Sequence, residues 1–477
     1  MTLLTPFLEQ AARHPTRTAL VMRDGRTCTF EDLHDRSVDT AARFRAAGVV
    51  RGDRVLVAIP LSDKLYVTLI AVWRLGAVAV FPEPSAGLAG LVHAAQASKP
   101  KGFAAPGWLK CLAIGFRDLR RIPINLPASV LGGRAGSDIV EPVAEDELAL
   151  ISFTSGSTGT PKGVLRSHGL LLAQQNALRP MMEVDAATST DLVWFPAFVL
   201  AELALGHTSV LPDADLRKPA QADRERLGRQ MEHHGVERLL GPPALCERIM
   251  GAPAPPKLKQ IMTGGGPVFP LLLERLGRWA PEVAVTLVYG SSEAEPIAHV
   301  DAAQLTRADF DQMANGKGLV VGHPVPEVEI TIEDDEVVVT GDHVAKGYLD
   351  PAHDEGTKVE RGGKTWHRTG DAGWLDADGR LWLLGRKLER TDGLFPFAVE
   401  AMAQRWPGVE QSAFVRLDDR PVLVIAGDQS QLPLWKAKCK GIGPIELVQV
   451  ASIPMDRRHQ SKVDYHRLRD LLRSQTN

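Results

Sequence analysis

The chain has 477 residues, of which 44% are hydrophobic and 24% are charged, and its formal net charge is -3. This hydrophobic fraction can bury a core, so intrinsic disorder is excluded as the main state. The near balance of 55 basic and 58 acidic residues provides no global field to drive binding to nucleic acid or to an anionic membrane. At about 100–200 residues per domain, the length predicts two to four folding units. The class that these exclusions leave is a soluble globular protein, which we interpret as an enzyme.

Helical and strand patterns alternate in the N-terminal region. Apolar residues at helical spacing predict a helix over Phe30–Ala47, and the short apolar run Val55–Ile59 predicts a strand. A second helix over Leu65–Gly76, ended by its glycine, and a strand over Ala77–Phe81 follow. This order predicts a parallel sheet with helices on its faces. Residues 100–140 lack clean periodicity, and we predict no element there.

The pattern changes after about residue 320. Val328–Val339 is short, alternating and rich in β-branched residues. Between Trp374 and Leu384, Asp378-Gly379 separates two apolar runs, which predicts a hairpin. Beyond Gly385 the composition predicts a small α+β unit.

The cysteines and the apolar runs give no sign of export or of membrane insertion. The four cysteines are Cys28, Cys111, Cys246 and Cys439. They lie too far apart for a local metal knuckle or redox pair, so we predict buried, reduced thiols of a cytoplasmic protein. The start of the chain lacks the basic region of a signal peptide. The longest clearly apolar run, Leu65–Trp73, is far shorter than the ~20 residues of a spanning helix.

The segment Ile151–Val164 carries the clearest chemical signal. A predicted strand, Leu148–Phe153, runs into a loop of small residues that ends at a lysine. The loop residues are Thr154, Ser155, Gly156, Ser157, Thr158 and Gly159, and the lysine is Lys162. Small residues let backbone N–H groups approach an anion, hydroxyls add donors and Lys162 adds positive charge, which is the chemistry of a polyphosphate site. Pro161 and Gly163 flank the lysine, so this is not a Walker A loop; the alternative is a flexible surface loop.

This segment resembles the phosphate loop of the acyl-adenylate-forming (ANL) superfamily of AMP-dependent synthetases and ligases. Further stretches resemble motifs of that superfamily in the same order along the chain. They are Thr29–Leu33, Arg51–Val55, Thr263–Gly266, Tyr289–Glu293, Thr369–Asp371, Asp378–Arg380 and Gly385-Arg386. Because these matches span nearly the whole chain, it is identified as a member of the superfamily.

The resemblance implies a fold and a domain organisation. It implies an α/β protein whose large N-terminal domain, residues 1–385, binds ATP and the acyl substrate. That domain would be built of α/β layers with mixed sheets and a small β-barrel-like part. A small mobile α+β C-terminal domain, residues 386–477, would carry Lys462 and rotate about residues near Leu388 to bring this lysine in and exclude water.

The resemblance also implies roles for the motif residues. Glu293 offers a hard oxygen ligand to the Mg²⁺ that bridges ATP phosphates. Tyr289 offers a flat face to adenine, and Asp371 and Arg386 can hydrogen-bond the ribose hydroxyls. The remaining nucleotide-binding candidates are Gly264, Gly265, Gly266, Gly290, Ser291 and Ser292. Taken alone, Glu293 would be a solvated loop carboxylate, Tyr289 a core residue and Asp371 a turn residue.

A basic run near the C-terminus, Pro454–Val463, contains Lys462. The superfamily places a lysine in a Gly-Lys context here, whereas this chain has Arg457, Arg458 and His459 shortly before the lysine. The resemblance implies that Lys462 contacts the carboxylate oxygen and the α-phosphate as negative charge builds there. The implied catalytic residues are thus Lys462, Glu293 and Lys162. The alternative for this run is an exposed basic loop.

The segment Leu192–Asp213 resembles the acyl-pocket region of the superfamily. It is apolar and lacks the Asp with which amino-acid-activating domains hold an α-amino group, which favours an aliphatic or aromatic acid. Glu202 within it is either a polar group of the pocket or a residue on a helix surface, and we predict the surface.

This segment, Gly385–Glu400 and Arg457–Lys462 most resemble the olefin β-lactone synthetase branch, followed by fatty acyl-CoA ligases. In that branch the adenylate of a β-hydroxy acid is attacked by its own hydroxyl, without CoA. Leu388 stands where CoA ligases have Asp or Lys, and the stretch Arg386–Glu400 is short. The resemblance therefore implies acid activation with ATP and Mg²⁺ through acyl-AMP, followed by β-lactone closure. Transfer to the thiol of CoA or of a carrier protein, and a non-catalytic role in binding acyl-AMP or nucleotide, stay open as alternatives.

Overall fold

The computed structural model describes residues 2–82, 86–128, 137–154, 161–183, 188–456 and 460–476. Its helices are α1 (Thr5–Arg13), α2 (Phe30–Ala46), α3 (Asp63–Arg74), α4 (Gly87–Ser98), α5 (Gly107–Ala113), α6 (Arg117–Arg120), α7 (His168–Met182), α8 (Phe198–Leu205), α9 (Arg224–His233), α10 (Pro243–Ile249), α11 (Pro270–Trp279), α12 (Arg307–Ala314), α13 (Pro396–Ala403), α14 (Leu432–Lys440) and α15 (Tyr465–Thr476).

Its strands, numbered in chain order, form three sheets. They are β1 (Thr18–Val21), β2 (Thr27–Thr29), β3 (Arg54–Val57), β4 (Val78–Phe81), β5 (Gly102–Ala104), β6 (Ile124–Leu126), β7 (Leu148–Thr154), β8 (Lys162–Ser167), β9 (Thr190–Val193), β10 (Thr208–Val210), β11 (Arg238–Gly241), β12 (Gln260–Gly264), β13 (Ala284–Ser291), β14 (Ala294–Asp301), β15 (Leu319–Pro324), β16 (Val328–Glu333), β17 (Glu336–Gly341), β18 (Lys358–Arg361), β19 (Lys364–Leu375), β20 (Leu381–Arg386), β21 (Val409–Leu417), β22 (Arg420–Gly427) and β23 (Glu446–Gln449).

The first sheet has six strands in the order β6-β5-β3-β4-β7-β8. Its strands are parallel up to β7, and β7 and β8 form an antiparallel pair. α2 begins at a capping box in which Thr29 and Asp32 exchange side-chain-to-backbone hydrogen bonds, so the Thr-Phe-Glu-Asp stretch acts as a helix start. α3 is buried over almost its whole length, which explains its continuous apolar sequence. The predicted helices and strands of this region are confirmed to within two residues.

The second sheet has 14 strands in the order β16-β17-β19-β20-β15-β14-β13-β12-β11-β9-β10-β1-β2, with β18 paired to β19. The run β13-β12-β11-β9-β10-β1 within this order consists of parallel neighbours. Pairing becomes antiparallel at the β13–β14 hairpin. The hairpin predicted at Asp378-Gly379 is present as β19–β20, and the β-rich stretch Val328–Val339 forms most of a second hairpin, β16–β17. The reversal of direction at β13–β14 places Tyr289–Glu293 at the carboxyl end of the parallel strands.

The C-terminal region has its own three-stranded sheet, β21-β22-β23, and its own cores. Leu468 and Leu472 of α15 pack on one face, and Trp435 of α14 and Val399 of α13 pack on the other. This confirms the predicted α+β character. The expected domain boundary at residue 385 falls within β20, three residues before Leu388, which is 71% exposed.

The prediction that Glu202 lies on a helix surface is wrong. Its side chain is fully buried in α8, where Oε2 lies 3.2 Å from His207 Nδ1 and 3.5 Å from Arg238 Nη2. Arg238 also pairs with the buried Asp191. Burial raises the pKa of the Glu202 carboxyl. The physical reason is visible in the sequence, because α8 is apolar on every side and such a helix is buried on every side.

Residues 100–140, for which no element was predicted, contain β5, β6 and the short helices α5 and α6. The prediction that all four thiols are buried is wrong for Cys111, which is exposed on α5, and right for the other three. Within the described ranges, no helix has both the length and the apolar character needed to cross a bilayer.

Candidate active site

The β13–β14 hairpin forms the centre of the candidate site. Glycine is required at two places where backbones approach closely. A Cβ on Gly264 would lie 2.3 Å from the Val288 carbonyl oxygen, and one on Gly290 would lie 2.9 Å from the Ala294 carbonyl oxygen. Such distances leave no room for a side chain. The two glycine motifs therefore let β12, β13 and the hairpin turn pack tightly, and they present Glu293 at the turn.

Tyr289, Asp371 and Arg386, predicted from separate motifs, lie together. Asp371 on β19 stands directly opposite Arg386 on β20 in the strand register. Arg386 Nη1 lies 3.3 Å from Asp371 Oδ1, and the Tyr289 hydroxyl donates a 2.9 Å hydrogen bond to Asp371 Oδ2. Burial, with the Asp371 charge beside it, raises the pKa of Tyr289 well above its ordinary value, so the phenol stays a donor. The remaining acceptor and donor capacity of this trio is suited to sugar hydroxyls.

Glu293 is held by Tyr348, a residue that the sequence did not single out. The Tyr348 hydroxyl donates a 2.9 Å hydrogen bond to Glu293 Oε1. Burial opposes ionisation of Glu293, but the electrostatic interactions with His367 and Lys358 and the Tyr348 hydrogen bond outweigh it, so its pKa lies below the ordinary value. Glu293 is therefore an ionised carboxylate, the form that a hard divalent cation requires.

Two lysines lie close to the ring of Tyr348. The Nζ atoms of Lys162 and Lys358 each lie 5.5 Å from the ring centroid, a distance at which an aromatic face attracts a cation. Burial lowers the pKa of Lys358 to about 8. Burial and the nearby Lys358 charge also lower the pKa of the neighbouring His367.

Tyr348 reaches the site through strand pairing that is remote in sequence. It forms an antiparallel bridge with Val164, and the Leu349 backbone N–H donates to the Gly163 carbonyl at 2.7 Å. A Cβ on Gly163 would lie only 3.0 Å from Leu349 Cβ. The Pro-Lys-Gly sequence thus serves two purposes, because Lys162 supplies the charge and Gly163 makes room for the segment that carries Tyr348.

The structure also brings the Lys462 segment to this site. The backbone N–H groups of Ser461 and Lys462 donate to Asp456 Oδ1 at 3.1 and 2.9 Å. Ser461 Oγ accepts from the Ala244 N–H at 3.2 Å, and a Cβ on Gly266 would lie 2.5 Å from Ser461 Cβ. The lysine segment therefore rests on the Gly264–Gly266 turn, beside the carboxyl end of β12.

The two ends of the predicted phosphate loop are paired. Thr154 on β7 stands opposite Lys162 on β8, and His93 Nε2 lies 2.9 Å from the Pro161 carbonyl oxygen. The predictions for Ser155–Gly159 lie outside the described residues.

Sequence reasoning missed Tyr348, Lys358 and His367. Lys358 and His367 are cross-strand partners on β18 and β19, and no local pattern distinguishes them from surface residues of a hairpin. The available signal was the scarcity of tyrosine, since the chain has only four, of which Tyr289 was already assigned.

The chemistry of these residues fits a magnesium–triphosphate. Glu293 provides an ionised oxygen ligand, and Lys162 and Lys358 provide positive charge near Tyr348. An oxygen ligand for the metal and ammonium groups for the phosphates are the usual partners of a metal-bound polyphosphate.

Known proteins resemble this chain in sequence and in fold. The family model for AMP-binding enzymes matches residues 7–349. The olefin beta-lactone synthetase of Stenotrophomonas maltophilia (strain K279a) is 29% identical, over 93% of this chain and 90% of its own. A 2-succinylbenzoate–CoA ligase of Bacillus cereus is 24% identical, over 87% of this chain and 85% of its own.

A solved structure supports the fold. The o-succinylbenzoate coenzyme A synthetase of Bacillus subtilis, in complex with ATP and magnesium ion, has a TM-score of 0.79 at 20% identity. The match covers 98% of this chain and 99% of that one. Since the family model covers well over half of the residues, the chain belongs to the AMP-binding enzyme family, the ANL superfamily of ligases and synthetases.

Proposed function

We propose that this protein activates an apolar carboxylic acid with ATP, releasing pyrophosphate, and that the acyl-AMP then closes to a β-lactone. The observation that carries the first step is the convergence of Glu293, Asp371 and Lys162 around one hairpin, with the Lys462 segment on the Gly264–Gly266 turn that follows the neighbouring strand β12. Residues 386–477 act in this proposal as a mobile unit that brings Lys462 in and closes off water.

In this proposal, one group of residues binds the nucleoside of ATP and another binds its phosphates and the metal ion. Asp371 and Arg386 bind the ribose hydroxyls, and Tyr289 presents its ring to adenine because its hydroxyl is already used by Asp371. Lys162 and the backbone of the loop before it bind the outer phosphates. Glu293 would hold Mg²⁺, which supplies charge neutralisation to the phosphates.

Adenylation is an in-line displacement at the α-phosphorus. A carboxylate oxygen of the acid attacks, the bond from the α-phosphorus to the bridging oxygen breaks, and pyrophosphate leaves with the electron pair. Lys462 would stabilise the negative charge on the carboxylate and the α-phosphate. No covalent enzyme intermediate is needed, because positioning and charge stabilisation account for most of the rate in such displacements.

Lactone closure is an intramolecular acyl transfer. The oxygen of the β-hydroxyl attacks the acyl carbon, the carbon–oxygen bond to AMP breaks, and the hydroxyl proton is released to solvent as AMP leaves. Two olefin beta-lactone synthetases are 28–29% identical over 93% of this chain, which supports this outcome. The shortness of the stretch after β20 supports it too, because α13 already begins at Pro396.

Thioester formation with CoA is the second candidate. It is supported by relatives named as CoA ligases or synthases, which are 24–28% identical over 86–87% of this chain. The two candidates share the adenylation step and differ only in the nucleophile that attacks the acyl carbon.

Exchange of radiolabelled pyrophosphate into ATP, measured across a panel of acids, tests the adenylation step. We expect exchange with apolar acids, and its absence with every acid would leave the non-catalytic alternative. Incubation of ATP with a β-hydroxy acid, with and without CoA, then tests the acceptor. We expect a product lighter than the acid by one water, formed without CoA and not formed from the matched acid that lacks the β-hydroxyl. A product that requires CoA would instead establish the ligase.

A further inference from the structure

Large apolar side chains are exposed together on α5 and the turn that follows it. Trp108, Leu112, Ile114 and Phe116 expose 59%, 56%, 62% and 37% of their surface. α5 packs inward through Leu109 and Ala113, which are four residues apart and belong to the core of the first sheet. Trp108 and Leu112 have the same spacing and share the outer face. We call these four exposed side chains the α5 apolar patch.

This grouping differs from ordinary surface hydrophobicity. Single exposed apolar residues are normal on any protein, whereas contiguous patches mark interaction sites. The other large exposed apolar residues among those described, such as Val50 and Leu434, are separated along the chain, while all four patch residues fall within positions 108–116.

A cavity of about 530 Å³ opens beside the patch. Trp108 and Lys110 line it, together with the loops that follow β3, β5 and β6. β3 and β5 are parallel neighbours, and the chain continues from β3 to β4 on one side and from β5 to β6 on the other. The cavity therefore lies at the topological switch point of this sheet, the position at which open α/β sheets bind ligands.

Two basic residues besides Arg26 line the cavity, and three more directly follow the patch along the chain. They are Lys64, Lys110, Arg117, Arg120 and Arg121, all exposed except Lys110, which is half-buried. Two acidic groups lie nearby. Asp63 is neutralised by its ion pair with Arg36 at 2.6 Å, whereas Asp118 accepts a 2.9 Å hydrogen bond from the neutral Gln96 amide and keeps its charge, so the five cations outnumber it. Arg26 at the cavity rim is paired with Asp24 at 2.7 Å and adds little charge. The local charge is thus positive, although the whole chain carries -3.

We propose that the α5 apolar patch docks on an anionic lipid bilayer, with the patch side chains in the interface and a phosphate headgroup in the adjoining cavity. Interfacial elements combine Trp, Phe and Leu with flanking Lys and Arg in this way, and each cation near an anionic surface adds attraction. A second copy of the chain fits less well, because a two-fold contact would set the basic residues of one copy against those of the other. The inference is independent of the proposed enzymatic function.

Vesicle binding by the full chain tests the proposal. The probes are vesicles of phosphatidylcholine alone and vesicles that also contain phosphatidylglycerol. Cys111 lies next to Leu112 and is the exposed cysteine, so an environment-sensitive fluorophore can be attached there. We expect flotation with the anionic vesicles only, a blue shift of the fluorophore on binding, and weakening of both with salt.

Matched variants separate the patch from general surface effects. Leu112 and Val50 have the same exposed fraction, 56%. Trp108→Ser combined with Leu112→Ser should weaken vesicle binding at least about tenfold, because the apolar area that enters the bilayer interface is lost. Val50→Ser should leave vesicle binding unchanged. Arg117→Glu with Arg121→Glu is expected to weaken binding to the anionic vesicles about as much. Thermal unfolding is measured for each variant and should stay at the wild-type temperature, since all these side chains are exposed.

Three results would overturn the proposal. One is a wild-type chain that floats with neither vesicle. Another is a Trp108/Leu112 double variant that binds as the Val50 variant does. The third is a concentration-dependent dimer that the double variant abolishes while vesicle binding is absent, which would assign the surface to a second copy of the chain.

Discussion

The hydrogen bond from Tyr348 to Glu293 offers the sharpest test of the proposed metal site. Tyr348→Phe removes only the hydroxyl and keeps the ring that lies 5.5 Å from the Nζ atoms of Lys162 and Lys358. The lost bond is 2.9 Å long, and its acceptor is an ionised, half-buried carboxylate. Hydrogen bonds to charged groups contribute about 1.5–3 kcal/mol, so we expect the apparent affinity for Mg·ATP to fall roughly tenfold to 150-fold.

The pH dependence should change in a defined direction. The Tyr348 hydroxyl is one of the interactions that hold the pKa of Glu293 low, so its removal raises that pKa. A larger fraction of Glu293 is then protonated, and unable to bind a cation, at a given acidic pH. The pH below which exchange activity is lost should therefore be higher in the Phe variant than in the wild type.

Acid-dependent pyrophosphate exchange, titrated with Mg²⁺ at several pH values, measures both effects. Tyr66→Phe is the matched control, because it removes a hydroxyl that donates a 3.0 Å bond to a neutral acceptor, the Pro196 carbonyl. We expect its Mg²⁺ dependence to equal that of the wild type. The reasoning is refuted if Tyr348→Phe also titrates like the wild type, since Glu293 would then not depend on Tyr348 for cation binding.

Three further predictions concern the tail segment and a buried acid. Lys462→Ala should reduce exchange by ~10²–10³ and leave ATP binding, measured by equilibrium dialysis, nearly unchanged, because a preorganised charge is lost only in the reaction. Gly266→Ala should lower exchange at least about tenfold, since the new Cβ would lie 2.5 Å from Ser461 Cβ and displace the lysine segment; adding Ser461→Gly should restore part of it. Burial raises the pKa of Glu400 to about 8 from 4.5, so the folded state retains a proton that the unfolded state loses. The contribution of Glu400 to the free energy of unfolding should therefore fall between about pH 4.5 and pH 8, by at most ~1.4 kcal/mol per pH unit. Glu400→Gln should remove this contribution and make the slope shallower, while the buried Glu202, whose pKa is also raised, keeps its own.

Each of these predictions has a contrary outcome. Wild-type exchange in Lys462→Ala would remove this lysine from the mechanism, and the exposed Lys440→Ala serves as its control. If Ser461→Gly restores nothing to Gly266→Ala, the contact between them does not position the segment. An unchanged pH slope in Glu400→Gln, measured by denaturant unfolding, would place the linked proton elsewhere.

The sequence by itself determined the elements and the family. α2, β3, α3 and β4 follow from short-range apolar spacing and from a capping box, and the β19–β20 hairpin follows from Asp378-Gly379. These signals are local, because helix and strand periods and turn chemistry act over a few residues. The motifs that resemble the superfamily are local too, and three of their residues, Tyr289, Asp371 and Arg386, lie together in the structure.

Only the tertiary structure decided which other side chains join the site and which are buried. Tyr348 lies against Glu293 because it forms a β-bridge with Val164, far away in sequence, and no local pattern encodes that pairing. Glu202 is buried because its helix is covered on every side, and Cys111 is exposed because α5 packs only its opposite face. Burial and charge environment depend on neighbours from distant elements, and these neighbours set the pKa values and the exposed surface on which the predictions rest.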